Sequence, residues 1–331
     1  MGNLLGRIGN RLRMTAADFR ADCRFSLRFA GWRMCANLCG RIGMNAVARY
    51  ANGKKDAFIT GYLEKTLASV VERYADDRDC GTPVPDGPIW VCWWSGEDTA
   101  PPLVKQCIKS IRKNAGNHPV HLINRDNYRQ YLEIPTFILE NVEKKTMGTA
   151  HLADFIRVSL LARYGGLWLD ATMFCGNCVP ESCFTEPLFT CKGPVRPSGY
   201  VSNYRWVTFC LGGWKGNVMF RFLADAFACY WEKNSSAVDY LFFDHIILMA
   251  YKNIPEIRRL IDAVPENNIH RDDLQAAMNG AVSAEKWNEI VQPDTVFYKL
   301  SWRESYCPTT VEGKESVYGY FLRRDTKEEE E

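Results

Sequence analysis

The chain of 331 residues lacks any uninterrupted apolar run of about 18 residues, so we predict no transmembrane helix. In the N-terminal segment, Gly, Asn and Arg interrupt every apolar stretch, and we therefore expect no secretory signal. A net charge of only +2 gives no general reason to expect nucleic acid as a partner. Thirteen cysteines without small-scaffold spacing favour reduced thiols and a cytoplasmic location.

A dinucleotide-binding fingerprint is also absent. No Gly-x-Gly-x-x-Gly motif follows the first apolar strand, which argues against a nucleotide-dependent oxidoreductase. Apolar residues nevertheless make up 47% of the chain and aromatic residues 13%, so a large core is available. This length and composition predict one large domain or two modest ones.

Positive charge is concentrated in residues 1–50, which carry nine Arg, no Lys and two Asp, a local balance of +7. Apolar residues recur there at helical intervals with arginines between them. One interpretation is a basic amphipathic helix on an anionic membrane surface, which would place the protein at the inner membrane face. The other is a helical cap on the main domain with its arginines facing water.

A turn-rich stretch at 77–87 predicts a boundary between a basic helical region, 1–80, and a main domain, 86–310. Residues 311–331 form a C-terminal segment with an acidic tail. The apolar run 88–94, a helix start at two prolines and a second apolar run at 120–123 give a β-α-β order. This order predicts parallel strands in an α/β sandwich.

The stretch 165–172, with sequence GGLWLDAT, is the most informative of the chain. Two glycines end a helix, three apolar residues make a short buried strand, and Asp170 follows where the strand ends. Ligands of open α/β sheets bind at this end of the strands. An ionised carboxylate at such a place must meet a metal, a cation or a hydroxyl. The pattern predicts the floor of a binding site.

Polar residues also mark the helix that precedes this strand. His151, Asp154 and Arg157 are spaced three apart, and they form a stripe away from the apolar face. Such a stripe can contact a ligand that lies across the strand ends. The alternative is a solvated face with a weak Asp154–Arg157 pair.

Residues 150–157 (AHLADFIR) and 160–170 (LLARYGGLWLD) together resemble the core signature of nucleotide-sugar glycosyltransferases. The similarity is greatest to the capsular polysaccharide synthesis proteins and to related DXD-motif sugar-binding glycosyltransferases of the family 32 type. The resemblance extends over about residues 86–305, where 89–97 (IWVCWWSGE) looks like the first strand of such proteins.

This resemblance implies a GT-A-like nucleotide-sugar-binding α/β/α sandwich with an N-terminal helical extension. It also implies a retaining hexosyltransferase that uses a nucleotide-sugar donor, UDP-linked, and a surface polysaccharide or lipid-linked glycan as acceptor. The catalytic residues it implies are Asp170, Asp244 and Asp239. The implied donor-binding residues are Trp93, Trp94, His151, Asp154, Arg157, Thr172, Lys299, Trp302 and Arg303.

Two of these assignments have structural alternatives. We expect one of Trp93 and Trp94 to stack on a uracil-like base and the other to be buried, because the run is so apolar. Asp239 and Asp244 lie in an otherwise apolar segment, where a carboxylate is rare without a role. Asp239 could equally cap the helix that follows it.

The family resemblance also implies a divalent cation, Mn²⁺ or Mg²⁺, held by Asp170. A DXD motif would place a second acid two residues later, but Thr172 stands there, and its hydroxyl is a poorer ligand for a hard cation. Either Asp170 holds the cation together with water and diphosphate, or Lys299 and Arg303 bind the phosphates directly. Thr172 also favours an alternative function, a non-catalytic sugar-nucleotide-binding scaffold in a polysaccharide assembly complex.

Overall fold

The computed structural model describes residues 18–78 and 81–324. The predictions for the first 17 residues and for the acidic tail lie outside these ranges. The described N-terminal part is helical: residues 18–23 are followed by α1 (Leu27–Arg41), α2 (Asn45–Thr66) and α3 (Ala68–Tyr74). No helix in the described ranges is long and apolar enough to cross a membrane.

The remaining elements alternate between short strands and helices. The strands are β1 (Ile89–Cys92), β2 (Val120–Ile123), β3 (Gly166–Leu169), β4 (Met173–Cys175), β5 (Leu188–Thr190), β6 (Cys210–Gly213) and β7 (Phe297–Lys299). The helices are α4 (Pro102–Asn114), α5 (Thr136–Glu143), α6 (Thr149–Tyr164), α7 (Ser182–Thr185), α8 (Val218–Lys233), α9 (Phe242–Asn253), α10 (Pro255–Ala263), α11 (Asp273–Ala277), α12 (Ala284–Ile290) and α13 (Val317–Arg323).

Five strands form the central sheet in the order β2-β1-β3-β6-β5. β1 pairs in parallel with β2 and β3, as the β-α-β order predicts, because α4 and α6 supply the crossovers that parallel strands need. β6 runs antiparallel to both β3 and β5, and no helix lies in the segment that joins β5 to β6. The prediction of an α/β chain is confirmed, with a mixed rather than a purely parallel sheet.

Alternation along each strand divides the core into two layers. Trp90 and Trp168 point to the side covered by α6, α8 and α9, whereas Ile89, Val91 and Leu167 point to the side that holds α4 and the β4–β7 pair. Side chains in a strand alternate between the two faces, so apolar strands of this kind must be covered on both. The sheet is therefore enclosed between two layers.

The glycine pair at 165–166 makes the sharp turn from α6 into β3 possible. Both residues have positive φ, +67° and +90°. A Cβ at Gly166 would lie 2.2 Å from the carbonyl oxygen of Pro88, so no larger residue fits there. The turn fixes how the end of α6 is placed relative to the strand that carries Asp170.

Strand β6 begins at Cys210 and includes Gly212 and Gly213. A Cβ on Gly213 would meet the Pro187 carbonyl oxygen at 2.3 Å. These glycines thus continue the strand where neighbouring backbone passes close by.

Candidate active site

A cavity of about 500 Å³ lies at the carboxyl ends of β1 and β3. Thr208 and residues of five segments that are distant in sequence line it: 92–95, 149–157, 168–172, 240–244 and 299–303. A volume in the range of about 300–1,000 Å³ is typical of small-molecule sites. The location is the one predicted from the strand that ends at Asp170.

Asp170 lies at the floor of this cavity with both carboxylate oxygens engaged. Its Oδ1 accepts hydrogen bonds from Arg157 Nη2 at 2.9 Å and from Trp168 Nε1 at 3.0 Å, and its Oδ2 accepts one from Lys299 Nζ at 3.0 Å. Burial opposes ionisation, but Lys299 and Arg157 outweigh it and hold the pKa of Asp170 below its ordinary value. Asp170 is therefore a carboxylate at neutral pH.

Arg157 connects the two acids that the sequence predicted to act together. Its side chain is only 5% exposed, and its Nη1 lies 3.2 Å from Asp154 Oδ1. The guanidinium carbon lies 5.0 Å from the Trp168 ring centroid and 5.4 Å from that of Phe243. The polar stripe on α6 thus faces the cavity, and the alternative of a solvated face does not apply to Arg157.

Part of the Arg157 guanidinium has no hydrogen-bond acceptor. Among the residues that the structure describes, neither its Nε nor its Nη1 makes a hydrogen bond of good geometry, although both are buried. A buried donor without an acceptor costs free energy, roughly 1–3 kcal/mol. Arg157 as a residue is part of the lining of the cavity.

Lys299 reaches Asp170 from the second sheet. β7 pairs with β4 so that Lys299 lies opposite Met173, and the backbone N–H of Leu300 donates to the Thr172 carbonyl oxygen at 3.0 Å. The ammonium donates to Thr172 Oγ1 at 2.7 Å as well as to Asp170. Lys299 therefore bridges the two positions that correspond to the ends of a DXD motif.

Two other acids border the cavity with raised pKa values. Burial raises the pKa of Asp154 to about 7, although Arg157 acts against the rise. Burial likewise raises the pKa of Asp244 to about 6, against the hydrogen bond that Trp206 Nε1 donates to its Oδ1 at 3.0 Å. The site combines one firmly ionised carboxylate with two that change protonation near neutral pH.

Aromatic side chains line one side of the cavity. Trp93 and Trp302 meet edge to face, with ring centroids 5.9 Å apart and planes at 80°. Trp302 is 43% exposed, and Arg303 lies 5.5 Å over its ring. Trp94 also borders the cavity, but its ring packs against Tyr128 at 5.4 Å. Trp93 and Trp94 are both half-buried and both border the cavity, so neither is buried outright, and the choice of the one that stacks on a base stays a prediction.

His151 and Asp239 occupy different surroundings from the other predicted residues. His151 lines the cavity, contacts the Tyr240 carbonyl oxygen at 3.2 Å, and has a pKa that burial lowers below its ordinary value. Asp239 is not among the residues that line the cavity. It forms an ion pair with Arg33 of α1 and accepts a hydrogen bond from the backbone N–H of Leu241 at 2.8 Å. The structure thus brings Asp244, and not Asp239, to the cavity.

A sequence profile described as capsular polysaccharide synthesis protein matches residues 42–321, which is most of the chain. The chain belongs to this family. The resemblance predicted from the Asp154, Arg157 and Asp170 segments is therefore confirmed, and the match extends into the N-terminal helices.

One curated relative is the O-glycosyltransferase braB of Annulohypoxylon truncatum, which is 25% identical over 231 residues. The alignment covers 64% of this chain and 53% of the relative, so this family member spans about half the length of that protein. A solved structure named PaToxG Glycosyltransferase matches 73% of the chain and 95% of its own length, with 16% identity and a TM-score of 0.37.

The donor set around Asp170 in this family member does not by itself fit a resident divalent cation. Its two oxygens face the cationic groups of Arg157 and Lys299, and the second DXD position is Thr172. Within residues 18–78 and 81–324, no three His, Cys, Asp or Glu side chains are grouped so that they could hold a metal ion. The Mn²⁺ or Mg²⁺ site remains a prediction.

Sequence reasoning missed two aromatic residues of the site. The sequence predicts Trp168 only as part of a buried strand, yet its indole N–H donates to Asp170. It places Phe243 only in an apolar segment, yet the ring of Phe243 lies over the Arg157 guanidinium. The position of Trp168 two residues before Asp170 could have indicated the first contact, because such residues share one side of a strand.

Proposed function

We propose that the protein is a glycosyltransferase that moves a hexosyl group from a UDP-linked sugar donor to a surface polysaccharide or lipid-linked glycan. One observation carries the proposal: Asp170, Arg157 and Lys299 form a linked charge cluster on the floor of a ligand-sized cavity at the strand ends. Membership of the capsular polysaccharide synthesis protein family and the similarity to an O-glycosyltransferase support it.

The aromatic side of the cavity is suited to the base of the donor. Trp302 offers a partly exposed ring face, and Trp93 Nε1 is buried with no hydrogen-bond acceptor among the described residues. Stacking on an aromatic ring contributes roughly 1–3 kcal/mol per base. We assign the uracil to the Trp93–Trp302 pair and the sugar to the Asp154–Arg157 side.

Positive charge beside Asp170 is suited to the diphosphate. When the bond between the sugar C1 and the diphosphate oxygen breaks, its electron pair leaves with the diphosphate, and that negative charge must be stabilised. Lys299 lies at the cavity floor and Arg303 beside the Trp302 ring. Asp170 holds Lys299 in place and orients Arg157, whose remaining N–H groups can donate to a sugar or phosphate oxygen.

Asp244 is the acid that we assign to the acceptor side. A bond forms between the acceptor hydroxyl oxygen and C1, and the hydroxyl proton passes to the Asp244 carboxylate. The hydrogen bond from Trp206 orients this carboxylate at the cavity edge. Its pKa of about 6 leaves it ionised at neutral pH yet basic enough to take a proton. Retention at the anomeric carbon and the GT-A-type architecture rest on the family resemblance, and NMR of the first-formed product tests retention.

We propose that Lys299, rather than a divalent cation, supplies the positive charge nearest to the diphosphate. The supporting observation is that its ammonium already lies between Asp170 and Thr172. The other proposal is a Mn²⁺ or Mg²⁺ ion, which Asp170 would hold and which would stabilise the negative charge of the leaving diphosphate. Turnover that persists in EDTA favours Lys299, whereas turnover that EDTA abolishes and Mn²⁺ restores favours the metal.

The deciding experiment for the function is a panel of nucleotide sugars tested in two ways on the purified chain. Calorimetry measures donor binding, and release of the nucleoside diphosphate measures turnover. Binding together with turnover, for at least one donor, is the expected result. Binding without turnover, with or without an acceptor, supports the alternative of a non-catalytic scaffold, which the Thr172 position favours.

A further inference from the structure

The turn between α1 and α2 carries an unusual share of exposed apolar side chains. Of the fourteen large hydrophobic residues exposed in the described part of the chain, seven lie between Leu27 and Tyr50. Six of them belong to what we call the hairpin tip, which comprises Met34, Leu38, Ile42, Met44, Val47 and Tyr50. Ile42 is 70% exposed and Tyr50 is 60% exposed. Single exposed apolar residues are ordinary, but a group of this size indicates a contact surface.

Packing and ion pairs hold the end of the α1–α2 hairpin that lies opposite the hairpin tip. Phe29 stacks on Phe58 with centroids 4.7 Å apart, and Arg33 forms ion pairs with Asp22 and Asp239. Beyond these contacts the chain is open to solvent, because residues 40–47 are all exposed. The hairpin is therefore fixed to the main body at one end and free of it at the other.

Helical spacing places the apolar side chains of the tip on continuous stripes. Met34, Leu38 and Ile42 follow one another at intervals of four along α1 and its cap. Val47 and Tyr50 are three apart on α2, and the ring of Trp32 meets that of Tyr50 at 5.8 Å. Residues three or four apart share one helix face, so the exposed groups can enter an apolar phase together.

Charge around the tip has a single sign. The sequence contains no Asp or Glu between Asp22 and Asp56, whereas this interval holds five Arg and two Lys. Arg41 and Arg49 are exposed next to the tip, and Lys54 lies 5.3 Å over the Tyr50 ring. A second copy of the chain would bring like charges together at such a surface, which disfavours self-association through it.

From this combination we propose that the hairpin tip binds an anionic lipid bilayer. The tip side chains enter the boundary between headgroups and acyl chains, and the flanking basic groups contact the acidic headgroups. No membrane-spanning helix is involved. The proposal does not depend on the glycosyltransferase assignment, since it uses none of the residues that line the cavity.

The test is co-sedimentation of the full chain with vesicles of phosphatidylcholine alone or mixed with phosphatidylglycerol. We expect binding to the mixed vesicles that high salt weakens, and little binding to phosphatidylcholine. The double variant Ile42→Ser with Met44→Ser should lower the partition coefficient at least about tenfold. Each of Arg41→Gln and Arg49→Gln should lower it about fivefold.

Equally exposed apolar residues elsewhere provide the matched control. Ile269→Ser with Val311→Ser changes two side chains that are 54% and 107% exposed, and vesicle binding should not change. Equal sedimentation of the wild type with both vesicle types, or equal loss in tip and control variants, would overturn the proposal. So would a dimer in sedimentation velocity that the Ile42→Ser variant converts to monomer, because the surface would then join two copies.

Discussion

Lys299 Nζ lies 3.0 Å from Asp170 Oδ2 and 2.7 Å from Thr172 Oγ1, so one ammonium group joins the first and last positions of the Asp-Ala-Thr segment. A second carboxylate at position 172 would be the usual feature of a DXD motif. With a lysine already bound there, the Thr172 hydroxyl accepts a second of the three ammonium N–H groups without adding negative charge. The relationship is consistent with Thr172 in the proposed site for a charged leaving group.

Replacing Lys299 by Met should weaken binding of a nucleotide-sugar donor. The change removes a charge-assisted hydrogen bond worth about 2 kcal/mol, which is roughly a thirtyfold rise in Kd. Calorimetry in EDTA measures it, and Lys314→Met at an exposed site serves as the control. Unchanged donor affinity in Lys299→Met would remove this residue from the diphosphate site.

Replacing Arg157 by Met should destabilise the fold as well as the site. Asp154 and Asp170 would lose their shared partner, and removal of one member of a buried ion pair costs about 3–5 kcal/mol. Urea unfolding measures the loss. On the same helix, the exposed Arg163→Met should stay within about 0.5 kcal/mol of wild type. Similar losses in both variants would contradict the role assigned to the buried arginine.

The pH dependence of stability should reveal Asp154. Its pKa is about 7 in the folded chain, above the ordinary value of 3.8. Between these values the unfolded chain has lost the proton that the folded chain retains, so the free energy of unfolding falls as pH rises. The stabilisation that the protonated Asp154 contributes is fully present only below the pKa of the unfolded chain. The pKa of Asp170 is lowered, so its titration affects stability only at a pH below this range.

The variant Asp154→Asn should therefore reduce the fall in stability between about pH 4 and pH 7. Part of the fall should persist, because burial also raises the pKa values of Asp244 and Asp22 to about 6. Thermal unfolding across this pH range provides the measurement, with the exposed Asp126→Asn as the control. An identical pH profile in Asp154→Asn and wild type would argue against the raised pKa.

Trp302→Ala should weaken binding of uridine nucleotides by about 1–3 kcal/mol, because a stacking surface is lost. Trp302→Phe should retain most of the affinity. Tyr200→Ala changes an aromatic residue that is 62% exposed and does not line the cavity, and it should have no effect. The comparison uses calorimetry with UDP alone. Full affinity in Trp302→Ala would place the base elsewhere.

The part of the site that the sequence predicted well is local. Arg157 and Asp170 are 13 residues apart, and the turn at Gly165 and Gly166 joins the helix of one directly to the strand of the other. The period of the helix, the turn at the glycines and the end of the strand are then sufficient to bring the two side chains together. The parallel pairing of the first two strands could be predicted for the same reason, because both belong to one short β-α-β unit.

Contacts between distant parts of the chain could not be derived in this way. Lys299 is 129 residues from Asp170, and only the family resemblance suggested it. Asp239 pairs with Arg33, which is 206 residues away in sequence, and it does not line the cavity, whereas Asp244 does. Spacing carries no information on such partners, and the same applies to the antiparallel placement of β6 beside β3.

Release of nucleoside diphosphate by Asp170→Asn tests the central claim most directly. The substitution preserves the size of the side chain but removes the charge that holds Arg157 and Lys299. We predict that turnover of the best donor falls at least about a hundredfold, with thermal unfolding still cooperative and with Asp126→Asn equal to wild type. Equal turnover by Asp170→Asn and wild type would contradict the account.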